Sequence, residues 1–173
     1  MINVKTNDVI YKRSGIVENK VMTEVATEEV RKKLRRLLRT QKLGVLATRE
    51  FSLPYQSLVA FAVSEDLRQI YFATAVETRK YANLARHSQV SMLFDDRRNA
   101  PEDFHQGIAV TAIGRAKEVY PRSKAKILDL YLKKHPDLEG FVKSPSCRLF
   151  QVKVRTYIIV TEFQRVMEVR PGG

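Results

Sequence analysis

Tryptophan is absent from the 173 residues, and cysteine occurs once, at Cys147. A lone cysteine excludes an intrachain disulfide framework and a cysteine-built metal cluster. Seven glycines and six prolines are too few for a collagen-like or low-complexity chain. No apolar run approaches the roughly 20 residues that a membrane-crossing helix needs. The opening "MINVKTNDVIYKRSG" lacks an apolar h-region, so no secretory signal is read there and a cytoplasmic protein is expected. His87, His105 and His135 are scattered, with no spacing typical of metal ligands. Acids are scarce beside bases: 19 Asp and Glu stand against 31 Lys and Arg, a formal net charge of +12.

What is present fits a globular chain, 44% hydrophobic and 29% charged. The length suits a single domain over residues 1–173, with residues 1–25 as an N-terminal extension of irregular or weakly extended character. Much of the positive charge is local. "VRKKLRRLLRTQK", Val30 to Lys42, carries seven cations and no acid. Val30, Leu34, Leu37 and Leu38 share one helical face and the cations cover the rest. An amphipathic helix with a solvated basic face is the plainer reading. A nucleic-acid surface is disfavoured, because no aromatic residue interleaves the charges to stack on bases. Thr27 is placed to cap this helix, with Glu28 and Glu29 in its first turn.

Beyond it the pattern turns to strands. "LGVLATRE", "YQSLVAFAVS" and "RQIYFAT" are apolar, β-prone and separated by turn signals, so they read as an antiparallel meander. "TRKYANLARH" reads as a short helix and "QVSMLFDD" as another strand. "RRNAPEDFHQ" is a polar loop. "GIAVTAIGRAKEVY" is a long strand in which Gly114 signals a bulge or bend. "PRSKAKILDLYLKKH" has a proline at its start and Ile127, Leu128, Tyr131 and Leu132 in helical register. "SCRLFQVKVRTYIIVTEF" supplies one or two final strands. The expected fold is mainly β, a closed or partly closed barrel with flanking helices.

One stretch contradicts ordinary helix electrostatics. A helix start has unpaired amides and a partial positive charge, so acids belong there. After the cap residue Thr78 the chain instead places Arg79 and Lys80. That costs several tenths of a kcal/mol or more. A bound anion would reverse the sign, because free amides, a hydroxyl, a guanidinium and an ammonium would converge on it. Phosphate suits that donor set. Thr74, at the end of the preceding strand, adds a hydroxyl. Glu77, which could neutralise one cation, supports the alternative of an ordinary charged surface.

The tract "PYQSLVAFAVSEDLRQIYFATAVETRKYANLARHSQVSMLFDD", continued through "AVTAIGRAKEV", resembles the FMN-binding split barrel of the pyridoxamine 5'-phosphate oxidase-like superfamily. The resemblance covers roughly residues 40 to 120. It implies a six-stranded split β-barrel, a homodimer, and flavin at the subunit interface. By resemblance Thr78, Arg79 and Lys80 meet the cofactor phosphate, with Thr74 beside them. Gln56, Ser57, Leu58 and Val59 run along the isoalloxazine, their backbone meeting its pyrimidine edge, and Ala73 lies close to it. The oxidase itself has arginine where Ser57 stands, glutamine where Ala109 stands, and a C-terminal tryptophan and arginine that "RVMEVRPGG" does not supply. Those differences imply a substrate other than pyridoxamine phosphate.

The expectation is therefore a flavin-dependent oxidoreductase of unknown substrate, with FMN or a deazaflavin as cofactor and a nicotinamide as possible donor. A module that holds flavin, heme or another anionic ligand without turnover is the second reading. A nucleic-acid-binding protein is the third. Asp95, Asp96, Glu102 and Asp103 lie among Arg97 and Arg98, which favours a solvated charged loop over a hard-cation site. Ser57 has no partner base visible in sequence, which argues against a nucleophile.

Overall fold

The computed structural model describes residues 28–161 and 165–171. The N-terminal extension and the cap residue Thr27 lie outside them. The elements are α1 (Glu28–Thr40), β1 (Leu43–Glu50), β2 (Leu53–Val63), β3 (Gln69–Ala75), α2 (Arg79–Arg86), β4 (Gln89–Asp95), α3 (Asp103–Gln106), β5 (Ala109–Glu118), α4 (Pro121–Lys134), α5 (Glu139–Lys143), β6 (Cys147–Thr161) and β7 (Arg165–Val169). A short 3-10 turn, Pro136–Leu138, joins α4 to α5.

The sheet runs β3-β2-β1-β4-β5-β6-β7, and β3 also pairs with β6. That extra pairing closes β1 to β6 into a six-stranded antiparallel barrel. β7 is added outside it against β6, Val166 facing Val160. β1, β2 and β3 form the expected meander, with Leu46 opposite Ser57 and Phe61 opposite Phe72.

Side-chain alternation along the strands builds the core. Leu46, Val59, Phe61, Ile70, Phe72, Met92, Phe94, Val110 and Ile159 point inward and are buried. Phe61 and Phe94 meet with ring centroids 4.4 Å apart, and Phe72 stacks on Phe150 at 5.5 Å. Gly44 is where backbone and ring come closest: a Cβ there would lie 2.5 Å from the Phe94 ring. At Gly114 the β5–β6 register shifts, the bulge expected of a glycine inside a strand. A Cβ at Gly114 would collide with the Lys153 carbonyl oxygen.

α1 presents Val30, Leu34, Leu37 and Leu38 to this core, and all four are buried. Each such side chain contributes about 1.5–3 kcal/mol of burial free energy. α4 does a different job. Its Ile127 and Tyr131 pack with Ala62, Tyr71, Ala73, Cys147 and Leu149 in a second apolar cluster on the outer face of β2, β3 and β6. Among the described residues the outer faces of β1, β4, β7 and the first half of β2 have no such cover. Leu43, Leu58, Leu93 and Val166 remain 53%, 66%, 37% and 45% exposed. Among the described residues no helix is long and apolar enough to cross a membrane.

Candidate functional site

The start of α2 is capped and carries no acid in its first turn. Thr78 is the N-cap, with φ −87° and ψ 149°, and its hydroxyl accepts a hydrogen bond from the Tyr81 amide at 3.3 Å. The same hydroxyl lies 2.8 Å from the Ala75 carbonyl and 2.8 Å from the Thr74 hydroxyl. Thr74 is 1% exposed, so it braces the cap from inside the barrel wall rather than facing solvent. Among the described residues, the amides of Arg79 and Lys80 donate to no backbone carbonyl.

α2 is held firmly behind them. Asn83 is 2% exposed, and its amide donates to the Thr48 hydroxyl at 3.1 Å. Thr48 in turn donates to the Tyr55 carbonyl at 3.2 Å. Leu84 is buried and Tyr81 packs edge-on against Phe150. Unpartnered in apolar surroundings, the Asn83 amide would cost about 1–3 kcal/mol, so the bond to Thr48 fixes the helix against β1.

The two cations differ in their surroundings. The Arg79 guanidinium lies 3.9 Å from the Glu50 carboxylate and 6.0 Å from the Tyr55 ring centroid. Arg79 is 70% exposed, so that pair is weak and yields readily. Lys80 has no ion pair among the described residues, and Glu77 does not neutralise Arg79. The contact with Tyr55 brings this helix start next to β2.

β2 is unusual along that stretch. β1 pairs with it from Leu53 to Ala60, but β3 pairs with it only at Phe61, Ala62 and Val63. Among the described residues the other edge of 53–60 is therefore open, its peptide donors and acceptors paired with no strand. This is the split in the barrel. Gln56 and Leu58 project outward and are exposed, while Ser57 and Val59 turn toward the interior. The Ser57 hydroxyl is buried and lacks a hydrogen-bond partner among the described residues. The side-chain oxygen of Gln69 is buried and unpartnered likewise among the described residues. The Ala73 methyl packs in the cluster beneath α4, which leaves only its backbone for a ligand.

The histidines divide cleanly. His87 is the C-cap of α2, and its Nδ1 accepts from Arg49 at 2.9 Å. His135 is buried, with Nε2 donating to the Phe61 carbonyl at 2.8 Å. Burial pushes its pKa below the ordinary value. His105 sits exposed on α3. The acids of the β4–β5 connection serve the backbone: Asp96 accepts from the Ile108 amide and Asp103 from the Arg98 and Ala100 amides.

Glu50, Tyr55 and Asn83 are the neighbours that reading along the chain did not connect to this helix start. Asn83 left one signal, a polar residue within the apolar register of Tyr81, Leu84 and Ala85. Glu50 and Tyr55 left none, since hairpin geometry alone brings them to α2.

A family model for pyridoxamine 5'-phosphate oxidase matches residues 30–160. The chain belongs to that family. No curated protein matches the sequence. Solved structures share the fold at low identity. A putative pyridoxamine 5'-phosphate oxidase from Listeria innocua has TM-score 0.58 and 19% identity, covering 76% of this chain and 98% of its own. A FAD-binding protein from Mesorhizobium loti has TM-score 0.60 and 14% identity, covering 74% and 91%. A heme binding protein from Mycobacterium smegmatis has TM-score 0.71 and 15% identity, and the match covers 79% of this chain but 56% of that one. At these identities the likeness concerns the fold alone.

Proposed function

We propose that the chain is an FMN-binding protein that acts as a flavin-dependent oxidoreductase on a substrate other than pyridoxamine phosphate. The observation that carries this reading is a juxtaposition: a cationic, acid-free helix start beside an open strand edge. The Arg79 and Lys80 amides, the Arg79 guanidinium and the Lys80 ammonium suit the phosphate. The unpaired peptide groups of β2 from Gln56 to Val59 suit the hydrogen-bonding edge of a flat heterocycle. The orphaned Ser57 hydroxyl fits a polar partner at the same strand. Thr78 and Thr74 hold the cap, and Ala73 contributes through its backbone. Bound flavin would supply hydride acceptance and donation, with a nicotinamide as the donor class; the protein orients it and excludes competing reactions.

The reading includes a homodimer. Among the described residues, five of the clefts around the barrel lack Thr78, Arg79 and Lys80 from their walls. A cofactor seated there needs a second wall. The bare outer face carrying Leu43, Leu58 and Leu93 offers a surface for the partner that would supply it. The named FAD-binding relative accords with a flavin.

The test is the double variant Arg79→Ala/Lys80→Ala. Purified wild type is expected to be yellow, dimeric by gel filtration, and to release FMN on denaturation. The variant should fold, with an unchanged far-UV spectrum, and lose most of its flavin. Unchanged flavin stoichiometry would show that the phosphate binds elsewhere. Heme is the second reading, favoured by the fold shared with the Mycobacterium smegmatis protein. A Soret band in place of flavin absorption would establish it, and a deazaflavin would show as a bound mass different from FMN.

A further inference from the structure

A cleft of about 540 Å³ lies between the second half of α1, the turn from β2 to β3 and the last turns of α4. Residues 56–59 and 78–80 are not in its lining, and neither are Leu43, Leu58, Leu93 and Val166 of the bare outer face. It is thus separate from the open strand edge, from the start of α2 and from the surface offered to a partner. Its floor is apolar. Leu38, Ala62 and Leu67 are buried there, and Val63 and Leu130 are partly so.

The walls are tied to one another. The Ser64 hydroxyl donates to the Asp66 carboxylate at 2.6 Å and accepts from the Gln69 amide at 2.9 Å. Leu67 takes φ 60°, unusual for leucine, and the Tyr157 hydroxyl donates to its carbonyl at 2.7 Å. The Arg35 guanidinium crosses from α1 to donate to the Glu65 carbonyl at 3.1 Å. The cleft is a preformed gap between braced elements, and its volume falls within the range of small-molecule sites, roughly 300–1,000 Å³.

The informative group is on α4. Lys134 is half-buried and lines the cleft. It donates to the Leu38 carbonyl at 2.8 Å and lies 3.7 Å from the Phe61 ring centroid. Among the described residues it has no acid partner, although Glu65 stands in the same lining. A carbonyl and a ring face hold the ammonium without neutralising it. Its lowered pKa, about 8, reflects that burial. An ammonium also has further N–H donors to offer. A cation kept from water without a counter-charge, beside an apolar floor, is the complement of an anion with an apolar body.

We infer that this cleft binds a small carboxylate with an apolar body, of the medium-chain acid type, its carboxylate on Lys134 and its body against Val63 and Leu130. A dianionic phosphate or a nucleic acid fits less well. Glu65 would repel it, Arg35 is committed to a carbonyl, and one half-buried ammonium matches one negative charge.

Calorimetric titration of the purified full chain with sodium octanoate tests it. Saturable binding at one site per chain is expected. Acetate, which lacks the chain, and 1-octanol, which lacks the charge, should each bind weaker by roughly tenfold or more. Lys134→Met should weaken octanoate to a similar degree. Because that change also removes a tie to α1, Leu130→Glu provides a second probe, placing a carboxylate in the cleft wall, and should weaken octanoate equally. Both variants should keep the wild-type far-UV spectrum. Lys32→Ala, and separately Arg79→Ala/Lys80→Ala, should leave octanoate affinity within about twofold, as for exposed charges outside the site. The inference is overturned by an absence of octanoate binding, by 1-octanol binding as tightly as octanoate, or by unchanged affinity in either Lys134→Met or Leu130→Glu. Loss in the Arg79/Lys80 variant would overturn it too, by putting octanoate at the start of α2.

Discussion

α1 and α2 are built from the same materials and use them in opposite ways. α1 holds six cations, yet its first turn is acidic, Glu28 and Glu29, and a cation stands in its last turn. Its charges obey the helix dipole and its apolar stripe obeys the core. α2 has an acid-free first turn with Arg79 and Lys80 in it. The positive charge of α1 says little about binding, because the helix explains its own cations as a solvated face. Two cations in the wrong place say more than six in the right one. Placement against a fixed dipole, rather than number, is the informative quantity.

The contrast can be broken from either side. The largest effect is expected in α1, where packing decides. Leu38 is completely buried, and Leu38→Ala should destabilise the fold by about 2–5 kcal/mol in denaturant unfolding, without altering flavin content in the folded fraction. A smaller effect should come from the tie between α1 and α4. Lys134 donates to the Leu38 carbonyl at 2.8 Å and lies 3.7 Å from the Phe61 ring centroid. Burial pulls its pKa from 10.5 down to about 8. Between those values the unfolded chain binds more protons than the folded one, so unfolding free energy should rise with pH from about 8 to 10.5. Lys134→Met should flatten that rise; an identical pH profile in the variant would contradict it.

In α2 the changes should be modest for stability and severe for binding. Thr78→Ala removes the cap and should cost about 1 kcal/mol, read as a lower thermal midpoint, together with weaker flavin retention. The smallest change is the sharpest. Lys80→Glu puts an acid where the dipole wants one and should stabilise the flavin-free protein by about 0.3–1 kcal/mol while abolishing flavin binding. If instead it destabilises the apoprotein, the strain at this helix start is not electrostatic.

Much of the architecture could be read along the chain because it is local. The stripe Val30, Leu34, Leu37, Leu38 is a period that only a helix buries on one side. β1 to β3 are neighbours in sequence, and turn signals separate them. Gly114 marked its bulge because a Cβ has no room beside Lys153. The short elements were less visible. α3, α5 and β7 are too brief to carry a period, and tertiary contacts hold them: β7 exists by pairing with the end of β6.

The candidate site divides along the same line. Thr78, Arg79 and Lys80 stand together in the chain, so a clash between like charges at a helix start was legible. The open edge of β2 was not, since a strand's hydrogen bonds depend on which strands lie beside it. β3 pairs with β2 only as far as Phe72, and its other edge is held along its whole length by β6, from Gln69 opposite Lys153 to Ala75 opposite Cys147, partners far away in sequence. Nor did any pattern link Glu50 and Tyr55 to Arg79.

Local rules of period, cap and dipole were enough to specify the longer strands and helices and the misplaced cations of α2. Which groups those cations would face, and which strand edge would stay unpaired beside them, was settled when β3 closed on β6. The physical reason is range. Backbone sterics and dipoles act over a turn or two of chain, whereas barrel closure joins segments whose separation in sequence leaves no trace in either one.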